Sequence, residues 1–154
     1  MGIRVKVRLL VEGRGVEVAA LVNPGFESPE PDICVPLALA RRLGLWPPAR
    51  FESEEASTAG GEALIFRLPV RAEVQLALDG EVRSSSPCNI AVNPYVEEVL
   101  LSDYLIDELG IVPVSFRRGL WRHRSDREGV VRESEEPSTG NNPQRTAVRL
   151  LSTL

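Results

Sequence analysis

Few side chains in this sequence could do chemistry. Its 154 residues hold one histidine, His123, and two cysteines, Cys34 and Cys88, all far apart. That spacing matches no zinc pattern, and neither a metal nor a cofactor is expected. The two thiols read as small buried apolar residues, since a disulfide between them is unsupported in a reducing compartment. A tight turn, Asn23-Pro24-Gly25, follows the apolar run Leu21-Val22. Its carboxamide cannot take up or release a proton near neutral pH, so Asn23 cannot act there as a general base. Two carboxylates, Asp32 and Asp103, read as a solvated charge and as a charge at a helix N-terminus. Arg117, Arg118, Arg122, His123, Arg124 and Arg127, with Trp121 among them, form a basic cluster. It reads as an exposed face of closing strands paired with nearby acids, with His123 at the surface.

The elements that must position these residues follow from periodicity. Ile3, Val5, Val7 and Leu9 alternate with charged residues, and Val16, Val18, Ala20 and Val22 resume the pattern after Glu12-Gly13-Arg14-Gly15. That predicts a β-hairpin. Ile33-Cys34-Val35 predicts a short strand. Pro36 then opens a helix with Leu37, Leu39, Ala40 and Leu43 on its apolar side and Gly44 as its stop. Residues 47–62 are rich in Pro, Glu, Ser and Gly and read as loop. Leu64 to Leu78 predicts a strand with a bend at Pro69, and Asp79-Gly80 a hairpin turn into a strand from Val82 to Val92 that breaks near Pro87. Ser102 caps a second helix that buries Leu105, Ile106 and Leu109 and stops at Gly110. Ile111–Phe116 and Leu120-Trp121 predict closing strands. Val92-Asn93-Pro94 echoes Val22-Asn23-Pro24, an echo read as chance. The predicted class is mostly β, a barrel with one or two short helices.

The chain is long enough for one domain with a core. The reading places a β domain at residues 1–125 and a flexible extension at 126–154, polar from Glu133 onward, with an apolar end (Val148, Leu150, Leu151) able to dock. Net charge is −4, and 17 acidic against 10 basic groups fall in residues 1–111. So acidic a body makes nucleic acid an unfavourable partner. The opening residues alternate like a strand and lack the apolar core of a signal peptide, and no run suits a membrane helix. The expected compartment is the cytoplasm.

The serial order of these pieces resembles the retropepsin-like aspartic proteases. Ala20-Leu21-Val22-Asn23-Pro24-Gly25 aligns with that family's apolar-apolar-Asp-Thr/Ser-Gly turn. Val35-Pro36 through Leu43-Gly44-Leu45 resembles the segment that follows it. Thr58-Ala59-Gly60-Gly61 resembles the flap tip, and Leu100-Leu101-Ser102 the apolar-apolar-Gly segment before the second helix. The resemblance covers residues 3–123 and implies a retropepsin-like acid-protease barrel. It also implies a homodimer, because one such domain holds half a cleft, and a peptide or protein ligand contacting Ala59, Gly60, Gly61 and Ser102. The catalytic Asp is here Asn23, its Thr/Ser partner is Pro24, and the second Gly is Ser102. In the family two carboxyls share a proton and activate water, which two carboxamides cannot do. The expectation is a catalytically inactive module. The alternatives are an endopeptidase using Asp103, or nucleic-acid or partner binding through the basic C-terminal segment.

Overall fold

The computed structural model describes residues 2–48, 52–58, 61–137 and 148–150. Strand β1 (Arg4–Val11) buries Val5, Val7, Leu9 and Val11 and exposes Lys6 and Arg8, as the alternation requires. It pairs antiparallel with β2 (Arg14–Val22) through Glu12 (φ 49°) and Gly13 (φ 76°). Two central residues with positive φ make a type I′ turn, whose twist suits the strands it joins. The same device, Asp79 (φ 55°) and Gly80 (φ 81°), joins β5 (Gly61–Leu78) to β6 (Glu81–Val92).

Strand β3 (Asp32–Val35), buried at every position, leads to helix α1 (Leu37–Arg42), and β7 (Val99–Leu101) leads to α2 (Asp103–Glu108). The strand order β1-β2-β7-β3-β6-β5 closes on itself through a β1–β5 pairing. The result is a six-stranded barrel around the apolar core, where Ile3, Leu9, Ile33, Leu76, Ile90 and Leu101 are fully buried. Strand β4 (Glu52–Thr58) extends β5 outward as a hairpin, and β11 (Val148–Leu150) lies along β2. A second sheet of β8 (Ile111–Ser115), β9 (Leu120–His123) and β10 (Arg132–Glu133) follows α2. No helix among the described residues is long and apolar enough to cross a membrane.

The echo of Val-Asn-Pro is structural rather than accidental. Each half of the barrel runs hairpin, Asn-Pro turn, strand, helix. Asn23 Oδ1 accepts the Gly25 N–H at 3.2 Å, and Asn93 Oδ1 accepts that of Tyr95 at 2.9 Å. Both helices have an extended N-cap (Pro36 at φ −65°, ψ 154°; Ser102 at φ −68°, ψ 160°). Both end on a leucine followed by a left-handed glycine, Gly44 (φ 71°) and Gly110 (φ 70°). Strands β2 with β7 and β6 with β3 are parallel pairs, and β7 meets β3 antiparallel at the centre. A pseudo-two-fold between β7 and β3 therefore relates the halves.

Three expectations need correction. Residues 47–62 are not all loop: Glu52–Thr58 is a strand, because pairing with Gly61–Arg67 satisfies its backbone despite poor β formers. Pro87 does not break β6, which pairs with Glu73 there and continues to Val92. The chain from 126 onward does not leave the domain at once. Arg132 and Glu133 complete the second sheet, the Ser134 N–H reaches Gly119 O at 2.7 Å, and the Glu135 N–H reaches Arg4 O at 2.8 Å.

Candidate functional site

The Asn23 turn leaves the barrel where β2 and β7 run parallel, Val22 opposite Leu101. The Asn23 carbonyl accepts the Phe26 N–H at 3.0 Å, closing a β-turn. Pro24 has no N–H, so the Asn23 carboxamide reaches the next one, on Gly25. Asn23 is half-buried, and Pro24 and Gly25 face solvent. The turn rests on the start of α2, where the Asp103 N–H donates to Phe26 O at 2.8 Å. Asp103 Oδ1 accepts the N–H groups of Ser28 (2.9 Å) and Tyr104 (2.7 Å), the expected place for a carboxylate at a helix N-terminus.

Ser102 is fully buried beneath this arrangement. Its Oγ accepts the N–H groups of Leu105 (3.2 Å, the helix cap) and Asp32 (3.0 Å), while its own N–H donates to Asp32 O at 3.0 Å. A glycine here could not make the two side-chain bonds. Ser102 supports the turn from inside and does not face the solvent side on which Pro24 and Gly25 lie.

Asp32 is not a solvated charge. It is 1% exposed and sits at the centre of the site. Its Oδ2 accepts the Ser28 hydroxyl at 2.6 Å and Arg67 Nη1 at 3.2 Å, and its Oδ1 accepts Asn89 Nδ2 at 3.0 Å. Asn89 also donates to Glu30 at 3.1 Å. Thus β3, β5, β6 and the segment after the turn meet on one buried carboxylate, as a charge in the interior requires. Among the described residues no buried side-chain polar atom lacks a partner. The network acts as a brace under the turn. Sequence reading found Asn23, Ser102, Asp32 and Asp103 but missed Ser28, Arg67 and Asn89. An Arg set directly after the apolar run Leu64-Ile65-Phe66 of β5 was the available signal for Arg67.

Of the flap residues, Ala59 and Gly60 lie outside the described residues, and Gly61 opens β5 opposite Thr58. A cavity of about 360 Å³ lies at the hairpin's base, bordered by Leu45, Pro47, Leu68 and Pro69. It also touches Glu12, which precedes β2, so it sits at the opposite end of that strand from Asn23.

Cys34 and Cys88 are free, buried thiols, and burial pushes both pKa values up to about 12. Cys34 stands opposite Ala91 in the register, not Cys88. Among the described residues no cluster of three or more His, Cys, Asp or Glu could hold a metal ion. The basic segment also differs from expectation, because Trp121 (4% exposed) and His123 (1%) are core residues. They share the inward face of β9, and Trp121 is closed to base stacking. Arg122 donates to Asp126 O at 3.0 Å and Arg124 to Asp107 O at 3.3 Å. Asp126 itself takes a two-pronged bond from Arg132 (2.9 and 2.7 Å), which holds its carboxyl well below the usual range.

No protein-family model matches this sequence, and no curated protein sequence matches it.

Proposed function

We propose that this chain is a retropepsin-like domain without protease chemistry, acting as a homodimeric module that binds peptide or protein under the β4–β5 hairpin. One observation carries the reading. The turn that would hold a catalytic aspartate holds Asn23, whose carboxamide oxygen is bonded to its own Gly25 N–H. General-base catalysis needs a group that takes a proton from water, and a carboxamide does not. The order of elements supports the fold assignment: a hairpin ending in this turn, then strand and helix, a projecting hairpin, and a strand entering a second helix. Asp103 is a poor substitute acid, because one of its oxygens already accepts two backbone N–H groups.

The dimer reading draws on β8, an edge of the second sheet, and the turn after it, where Val112 (39% exposed), Val114 (51%) and Phe116 (42%) are exposed apolar residues. The buried Trp121 and the bonds of Arg122 and Arg124 to backbone carbonyls favour this over nucleic-acid binding.

The test is peptide hydrolysis at acid and neutral pH with and without pepstatin, for wild type and Asn23→Asp, alongside sedimentation. Expected are an inactive wild-type dimer and cleavage gained by the variant. Pepstatin-sensitive cleavage by the wild type would overturn the inactive reading, and a monomer at high concentration would overturn the dimer.

A further inference from the structure

Strand β2 is paired with β1 along its whole length, but on its other side β7 covers only Ala20–Val22. At the far end of that side the edge is taken by β11, with Val148 opposite Val16, Arg149 opposite Gly15 and Leu150 opposite Arg14. An open edge gains from such cover, because its backbone N–H and C=O groups otherwise lack partners. Among the described residues, the last backbone bond tying the chain to the barrel before β11 runs from the Glu135 N–H to Arg4 O, at 2.8 Å. Residues 136–147 intervene. Three residues of pairing are a small return for ordering the ends of so long a connection, so a further anchor is expected beyond β11.

The direction of β11 says where that anchor lies. The strand is antiparallel to β2 and so points from Val16 through Arg14 toward the Glu12-Gly13 turn. Glu12 borders the cavity of about 360 Å³, and so does Gly44. Arg14 joins the two places, since a Cβ on Gly44 would stand 2.5 Å from Arg14 Nη1. Residues 151–154 can span about 13 Å at about 3.3 Å each, whereas Glu12 is within about 7 Å of Arg14 along the chain.

The cavity and the segment also match in chemistry. Leu45 (6% exposed) and Leu68 (8%) are buried, Pro48 and Val70 are half-buried, and Glu12 and Gly44 are exposed. The cavity thus has an apolar floor, opens to solvent and carries one charged group, the Glu12 carboxylate. A buried leucine trimmed to alanine vacates about 150 Å³, so the cavity accepts two leucine side chains. Residues 151–154 read Leu-Ser-Thr-Leu, with two leucines and no charged side chain to oppose or pair with Glu12. Leucines three apart come to one side of a single turn. Arg14 is half-buried, and among the described residues its side chain makes no hydrogen bond or ion pair. A backbone passing beside it brings carbonyls to a guanidinium that can only donate.

We infer that this cavity is a docking site for an uncharged, leucine-bearing segment, and that its occupant is residues 151–154 of the same chain. Leu151 and Leu154 pack on Leu45, Leu68 and Val70, and this anchor holds β11 on the open edge of β2. The site is separate from the Asn23 turn, which lies at the other end of β2.

The experiment uses the full chain with leucine and valine methyl groups labelled for NMR. Expected are methyl–methyl NOEs from Leu151 and Leu154 to Leu45, Leu68 or Val70 that persist on dilution and stay within one chain in a mixture of labelled and unlabelled protein. The double variant Leu151→Ser, Leu154→Ser should shift the Leu68 and Val70 methyl signals and leave amide protection in β1 unchanged. It should speed amide exchange at Val148–Leu150 by about tenfold or more, because β11 then opens locally. Val70→Glu, which sets a second carboxylate in the cavity, should release β11 in the same way without altering the segment. Should Val70→Glu fail to fold, the double variant decides alone, since it changes no residue of the barrel. Absence of the NOEs in the wild type, methyl shifts and β11 exchange indifferent to the double variant, or NOEs found only between chains would each overturn the proposal.

Discussion

Removing the Asp32 carboxylate tests whether the site is braced from beneath as described. In Asp32→Ala the residue lost is 1% exposed and accepts from Ser28, Arg67 and Asn89. Taking one partner from a buried ion pair costs about 3–5 kcal/mol. Here the low end applies. Arg67 is 31% exposed and can rehydrate, and Asn89 keeps Glu30 at 3.1 Å. The expected loss is about 3 kcal/mol, or a fall in Tm of about 6–12 °C at this chain length. Arg67→Met should cost a similar amount, because it leaves the carboxylate buried with only neutral donors. The double variant should lose less than the sum of the singles, by about 1–2 kcal/mol. Urea denaturation followed by tryptophan fluorescence measures all three, since Trp121 is buried. If both singles fall within about 0.5 kcal/mol of wild type, or their effects simply add, Asp32 is not held as argued.

Two further outcomes are expected from the same assay. Asp126→Ala should destabilise by about 3 kcal/mol, because its carboxylate holds Arg132 and the His123 amide. The pair Arg8 and Glu17, 44% and 48% exposed, should be worth under about 0.5 kcal/mol. The Asp126 pKa is depressed in the folded state, so its contribution is complete above about pH 4 and disappears as pH falls below that value. The gap between Asp126→Ala and wild type should close accordingly in urea titrations from about pH 5 to about pH 2. Gly44→Ala and Gly110→Ala should each cost about 1–2 kcal/mol, since both positions have positive φ. A new Cβ would also press on Arg14 Nη1 at 2.5 Å in the first and Arg124 Cγ at 2.8 Å in the second. Costs that differ by more than about 1 kcal/mol would deny that the two helix ends are equivalent.

What was legible in the sequence was local. The alternation in β1 and β2, the Asp79-Gly80 turn and the Ser102 cap are each decided within a few residues. Strand β4 was hidden because its strand character comes from pairing with β5, not from Glu, Ser and Ala. The partners of Asp32 were hidden for the same reason, Arg67 standing 35 residues away and Asn89 57. His123 was readable in principle. It follows Trp121 by two positions in a strand, so burying the tryptophan commits the histidine to the same face.

The repeat also changes what Asn23 means. Taken alone, Asn-Pro-Gly in an active-site position looks like a lost aspartate. Its twin Asn93 makes the same bond to the N–H of the second residue beyond it, in the half of the barrel where the resemblance expects no catalytic acid. Asparagine at 23 therefore has a sufficient cause in turn closure, independent of any protease. An aspartate can close the same turn, because its carboxylate accepts the Gly25 N–H as the carboxamide does. Asn23→Asp should then fold like wild type, with Tm within about 2–4 °C, under about 1 kcal/mol for a chain of this length. That makes the hydrolysis assay interpretable. Activity gained in a folded variant would mean that only the acid is missing, whereas a folded, dimeric and inactive variant would show that the cleft has diverged along with the turn.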